Sequence, residues 1–138
     1  MEKSSFQFNS PTLKRLEFDV HDDFNRQGKL NMEITVNVNI QRDKAEDDTP
    51  SNSAYVLVTL SVGSKDNTTP FYIEADEGAH FRWEDGVFNE KQVDDLLNQN
   101  AVALLISYLR PVIASLTAAS PYPSYNLPYI NLIPKSDN

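Results

Sequence analysis

The groups able to hold a metal or move a proton are few: two histidines, 20 acidic residues and no cysteine. His21 stands beside Asp19, Asp22 and Asp23, so an imidazole and three carboxylates share one short segment. A bound metal needs its donors at spacings the chain can close around the ion, and this run matches no such pattern. His80 stands alone among residues of loop type, and neither histidine has a nucleophile as sequence partner. No glycine-rich run is present to cradle a phosphate. Catalysis, a metal site and a cofactor are therefore not expected. The acidic run Glu46-Asp47-Asp48 reads as a solvated loop.

Binding chemistry is better supplied. Residues 120–132, SPYPSYNLPYINL, carry prolines at 121, 123 and 128, with another at 134, and proline keeps a chain extended and out of helices and central strands. Tyr122, Tyr125, Leu127, Tyr129, Ile130 and Leu132 can then line an apolar groove for another polypeptide. At about 25 cal/mol per Å2 of apolar surface removed from water, several such contacts supply a few kcal/mol, enough for weak, sequence-tolerant binding. The competing reading is that the segment packs over its own sheet. Trp83, flanked by Phe81 and Phe88 in what reads as a glycine-bounded loop, either anchors a client or caps a sheet edge.

The element that must position this segment is the run before it, AVALLISYLRPVIASLTAA at 101–119. Val102, Leu105, Ile106, Leu109, Val112, Ile113 and Leu116 form one helical stripe, and Leu104, Tyr108 and Ala118 occupy the opposite side. A helix apolar nearly all round must be covered nearly all round, and one small sheet hides only one face. A second surface is implied, most simply another copy of the chain. Leu104, Tyr108 and Arg110 are the expected interface positions. Arg110, the only charge in the run, needs a carboxylate or backbone carbonyls as partners. Asn98 or Asn100 is the expected N-cap, Pro111 predicts a mid-helix kink or widening, and Ser120-Pro121 ends the helix.

Upstream, Leu30, Met32, Ile34, Val36, Val38 and Ile40 alternate with polar residues, the pattern of a half-buried strand. Leu16, Phe18 and Val20 alternate after a break at Ser10-Pro11, Ala54–Val62 is apolar on both faces, and Phe71–Ala75 makes a fourth strand. Residues 22–28 and 42–52 read as exposed loops, residues 91–98 as one or two helical turns, and Pro134–Asn138 as a frayed end. The expected class is α+β: a four-stranded antiparallel meander sheet with a long helix across one face, in one domain spanning 1–138.

With 12 basic against 20 acidic residues, the formal net charge of −8 repels phosphate backbones, so nucleic acid is not an expected partner. The N-terminus has no secretory apolar region, and Arg110 and Pro111 at the centre of the long helix argue against membrane insertion. Absent cysteine agrees with a reducing, cytoplasmic setting.

Four separated signatures resemble the SecB family of export chaperones, over roughly residues 6–132. Tyr108-x-Arg110 followed by Tyr122-Pro123-x-Tyr125-Asn126-Leu127-x-x-Ile130-Asn131-Leu132 is similar to that family's helix and crossover segment. Phe71-x-x-Glu74-x-x-x-Gly78-x-x-Phe81 resembles its fourth strand. Phe6-Gln7-Phe8 and Lys14-x-Leu16-x-Phe18-Asp19 resemble its first. The resemblance implies a cytosolic holdase for unfolded polypeptides, assembled as a dimer of dimers through its helices. It implies a docking surface for a translocase motor at Asp19, Tyr72 and Glu74, and, in other members, service to toxin–antitoxin pairs. Two departures stand out. Arg15 occupies a position where the docking pattern has an acid, so a like-for-like motor loses one contact and meets the wrong sign. The family's C-terminal helix is expected to be missing.

Overall fold

The computed structural model describes residues 4–25 and 30–132; residues 26–28 of the expected first loop and the tail from Pro134 lie outside the described residues. Strands β1 (Phe6–Phe8), β2 (Thr12–Val20), β3 (Ile34–Lys44), β4 (Pro50–Gly63) and β5 (Phe71–Trp83) form one antiparallel sheet. Consecutive β3, β4 and β5 make the meander. The expected first strand is present but split at Ser10-Pro11, and its two pieces lie end to end along the other side of β5. The α+β architecture is thus as read from the alternating pattern, with five strands in place of four.

Three boundaries differ from expectation. β5 runs on to Trp83, so the presumed loop at 80–88 begins as strand. Two features hide its period. Glu77 is charged yet points to the inner face with Ala75 and Ala79, and Gly78 interrupts the outer one. A Cβ there would lie 2.2 Å from Tyr55 Oη, so the Tyr55 side chain, whose ring packs 4.9 Å from that of His80, would have to move to admit one. The expected loop at 42–52 is instead a hairpin closed by Ala45–Thr49, where Asp47 accepts from the Thr49 amide at 3.2 Å and hydroxyl at 2.6 Å. Its flanking residues are polar on both faces, so alternation gives no signal.

The third difference is the helix start. Neither Asn98 nor Asn100 caps anything; Asn89 does, exchanging hydrogen bonds with Gln92 at 2.8 and 2.9 Å in a capping box. From there α1 (Glu90–Asp95), a π-helical turn (Leu96–Asn100) and α2 (Ala101–Ala118) follow without a break. The widened turn lies at Leu96–Asn100, while α2 carries Pro111 inside an otherwise regular helix.

The core is one layer of β4 and β5 against one face of α2. Ala54, Val56, Val58, Leu60 and Val62 alternate inward and are fully buried, as are Val102, Leu105, Leu109 and Ile113 above them. The other face of β4, expected to be covered too, is only half-buried at Tyr55, Leu57, Thr59 and Ser61.

Candidate functional site

After α2 the chain doubles back along the helix as an extended segment, residues 121–132, held by three ties. Thr117, fully buried in the last turn, accepts a hydrogen bond from the Tyr125 amide at 2.8 Å and donates to the Ile113 carbonyl at 2.8 Å. Ser124 donates to the Ala114 carbonyl at 3.0 Å. Arg110 donates to the Leu127 carbonyl and, at 3.2 Å, to that of Pro128. The charge has found backbone carbonyls, one of the two partner types expected, and they belong to its own protomer.

These ties sort the six proposed groove residues. Leu127 is 5% exposed and serves as the buried staple between two openings. On one side an open groove of about 670 Å3 runs between Ala103, Ile106 and Arg110 of the helix and Tyr129, Ile130 and Leu132 of the segment, with Gln99 and Asn100 at its end. Tyr129 is 88% exposed there. On the other side a second opening of about 350 Å3 is lined by Tyr122, Tyr125, Phe24, Met32, Pro70 and Phe71. Tyr125 packs edge-on to Phe71 at 5.9 Å, and burial raises its phenol pKa above the usual tyrosine value. Tyr122 meets Phe24 at 5.8 Å and donates to the His21 carbonyl.

Trp83 is not brought to either opening. It ends the central strand β5 opposite Phe6, nearly buried beneath that ring and the Arg42 guanidinium, 5.3 Å from the ring centre. Arg42 itself, invisible as a site residue in sequence, ties the hairpin to α1 through Ser51 at 2.9 Å and Glu90 at 2.7 Å.

The proposed docking residues share the outer face of the sheet. Asp19 lies directly opposite Tyr72, and Glu17 opposite Glu74. Tyr72 donates to Glu74 at 3.0 Å and lies under Lys65, 5.6 Å from its ring. Arg15 forms an ion pair with Glu74 and reaches Asp76 at 3.3 Å, while Thr59 donates to Asp76 at 2.7 Å. Two adjacent carboxylates therefore already have a counter-ion.

His21 bonds the Thr69 carbonyl at 2.8 Å, His80 packs at a tilt against the Tyr55 ring, and no cluster of three metal-binding side chains occurs among the described residues.

The outward face of α2 completes the site. Ala103, Ser107, Tyr108, Pro111 and Ser115 are exposed and Leu104 and Val112 half-buried, a surface with no charged residue. The run Glu90–Ala118 is long and apolar enough to cross a membrane by length and composition. Packing on β4 and β5 accounts for that character on one face only.

An antiparallel sheet carrying one long helix, with a proline-braced apolar segment folded back along it, defines an α+β scaffold with open apolar grooves. The chain belongs to the SecB family, described as preprotein translocase subunit SecB, which it matches over residues 2–133. An uncharacterized protein of Methanocaldococcus jannaschii is 23% identical over 133 residues, covering 94% of this chain and 81% of its own. The fold resembles that of a SecB-like chaperone of Mycobacterium tuberculosis solved in complex with a ChAD peptide from the HigA1 antitoxin (TM-score 0.67, 17% identity, 92% of this chain and 88% of that one). It also resembles a Streptococcus agalactiae protein of unknown function (TM-score 0.52, 13% identity, 90% and 97% coverage).

Proposed function

We propose that this protein is a holdase: it binds unfolded or partly folded polypeptides in extended form along residues 121–132 and keeps them from aggregating. The observation that carries the reading is the open groove between α2 and Tyr129–Leu132, with apolar groups on both walls and bounded by the Arg110 tie to the Leu127 carbonyl. Membership of the SecB family supports it, and so does the peptide bound to the M. tuberculosis neighbour. The protein works in the cytoplasm as a homo-oligomer, a dimer or a dimer of dimers, with Leu104 and Tyr108 in the interface. Suppression of light scattering from a denatured client tests the idea; no suppression at stoichiometric protomer rejects it.

A second reading, a dedicated interaction protein with one folded partner such as a toxin–antitoxin pair, draws on the Arg15 ion pair. With Arg15 offsetting one of the two negative charges of Glu74 and Asp76, a translocase motor docking at Asp19, Tyr72 and Glu74 finds less net charge to meet. Affinity capture separates the two readings: many nascent chains favour the holdase, one dominant folded partner the alternative.

A further inference from the structure

The two margins of the sheet are guarded differently. The margin formed by β1 and β2 is interrupted at Ser10-Pro11, slips register between Leu13 and Arg15, and carries Lys14, Arg15, Glu17 and Asp19. Breaks, bulges and charges of this kind keep further strands from adding to an edge. The opposite margin lacks them. Among the described residues β3 pairs with β4 alone, in unbroken register from Ile34 to Arg42, and Ile34–Gln41 contains neither a charge nor a proline. The Gly63 amide donates to the Glu33 carbonyl at 2.8 Å, one step beyond the Ile34–Val62 pair. Main-chain bonding alternates along an antiparallel ladder, so Thr35, Asn37, Asn39 and Gln41 turn their amides and carbonyls towards β4, while those of Ile34, Val36, Val38 and Ile40 face outward. They form a regular row that matches another extended main chain.

We infer that this edge pairs with β3 of a second copy of the chain, antiparallel about a two-fold axis at Asn37. In that register Ile34 of each copy faces Ile40 of the other and Val36 faces Val38, each pair exchanging both main-chain bonds. The inner apolar row, whose Val38 is left 39% exposed, then continues from one copy into the next. On the outer face Asn37 meets Asn37, Thr35 meets Asn39 and Glu33 meets Gln41. An amide both donates and accepts, so this exposed row is complementary to itself. A net charge of −8 opposes contact between copies in general, and here no like charges meet. The register is selective. An axis at Val38 sets Glu33 against Asp43, and an axis at Val36 sets Ile40 against Met32, which precedes the strand. A dimer of dimers also needs two different self-matching contacts, and the outer face of α2 offers only one of them.

Amide hydrogen exchange of the native protein reads the edge. An open edge exchanges the Val36, Val38 and Ile40 amides fast and protects those of Thr35, Asn37 and Asn39, whereas pairing slows the first set by at least about tenfold and removes the alternation. A disulfide identifies the occupant, since the native chain has no cysteine. Residues opposed across a non-hydrogen-bonded pair stand about 4.5 Å apart at Cα, within disulfide reach. Asn37→Cys should therefore oxidise to a covalent pair of chains about tenfold or more faster than Glu46→Cys in the turn beyond the strand, and should do so equally in a Tyr108→Glu background that disrupts the α2 contact. Alternating exchange in the native protein, equal oxidation at the two positions, or edge protection without a cross-link overturns the proposal. The test is independent of client binding.

Discussion

The guanidinium of Arg110 donates to the main-chain carbonyl of Leu127, with Pro128 as its second acceptor. One side chain on the long helix thereby fixes the path of the returning segment, and with it the separation of the two openings. Arg110→Lys cannot fork to two carbonyls and Arg110→Ala removes the tie. Hydrogen bonds to charged groups contribute about 1.5–3 kcal/mol, and partial exposure places this pair at the lower end. Proteolysis within 121–132 is expected to accelerate in both variants, and urea unfolding to show a loss of about 1–2 kcal/mol for Arg110→Ala.

Thr117→Val tests the second tie. Valine fills the same space but leaves the Tyr125 amide without its acceptor. An orphaned buried donor costs about 1–3 kcal/mol, so thermal unfolding should shift down while the β-sheet circular dichroism signal is retained.

Gly78 and Tyr55 form a coupled pair. Gly78→Ala sets a methyl against the Tyr55 ring and should destabilise by about 1–3 kcal/mol; in a Tyr55→Ala background the same change should cost less. A double-mutant cycle with no coupling contradicts the packing described.

Arg15→Ala leaves Glu74 and Asp76 without their counter-ion. Because Arg15 is 47% exposed at its side chain, stability should change by less than about 1 kcal/mol. The outer face gains net negative charge, so a cationic peptide should bind it more tightly at low salt, as read by titration calorimetry.

How much of this was legible beforehand follows from where the side chains look. The alternation of β3 and the apolar stripes of α2 announce their elements through the period that burial leaves in the sequence, whereas β4 is marked by a run of apolar and β-branched residues on both faces. The reading of β5 stops at Ala75, since Glu77 and Gly78 break the pattern for reasons that exist only in three dimensions: an acid turned to the inner face and the Tyr55 side chain lying over Gly78. The sequence groups the six crossover residues together, but Leu127 as staple and Tyr129 as exposed tip are not separable from it. Thr117 and Arg42 were missed, as a threonine in a helix and a basic residue in a presumed loop carry no local mark of their long-range partners.

The account depends most on what covers the outer face of α2, which carries exposed Tyr108, Ala103 and Pro111 without a charge. Sedimentation equilibrium measures it directly. The protein should have a mass of two or four times 15.6 kDa, and Tyr108→Glu should shift it towards a folded single protomer. A native protein that sediments at 15.6 kDa with an intact fold would contradict the account.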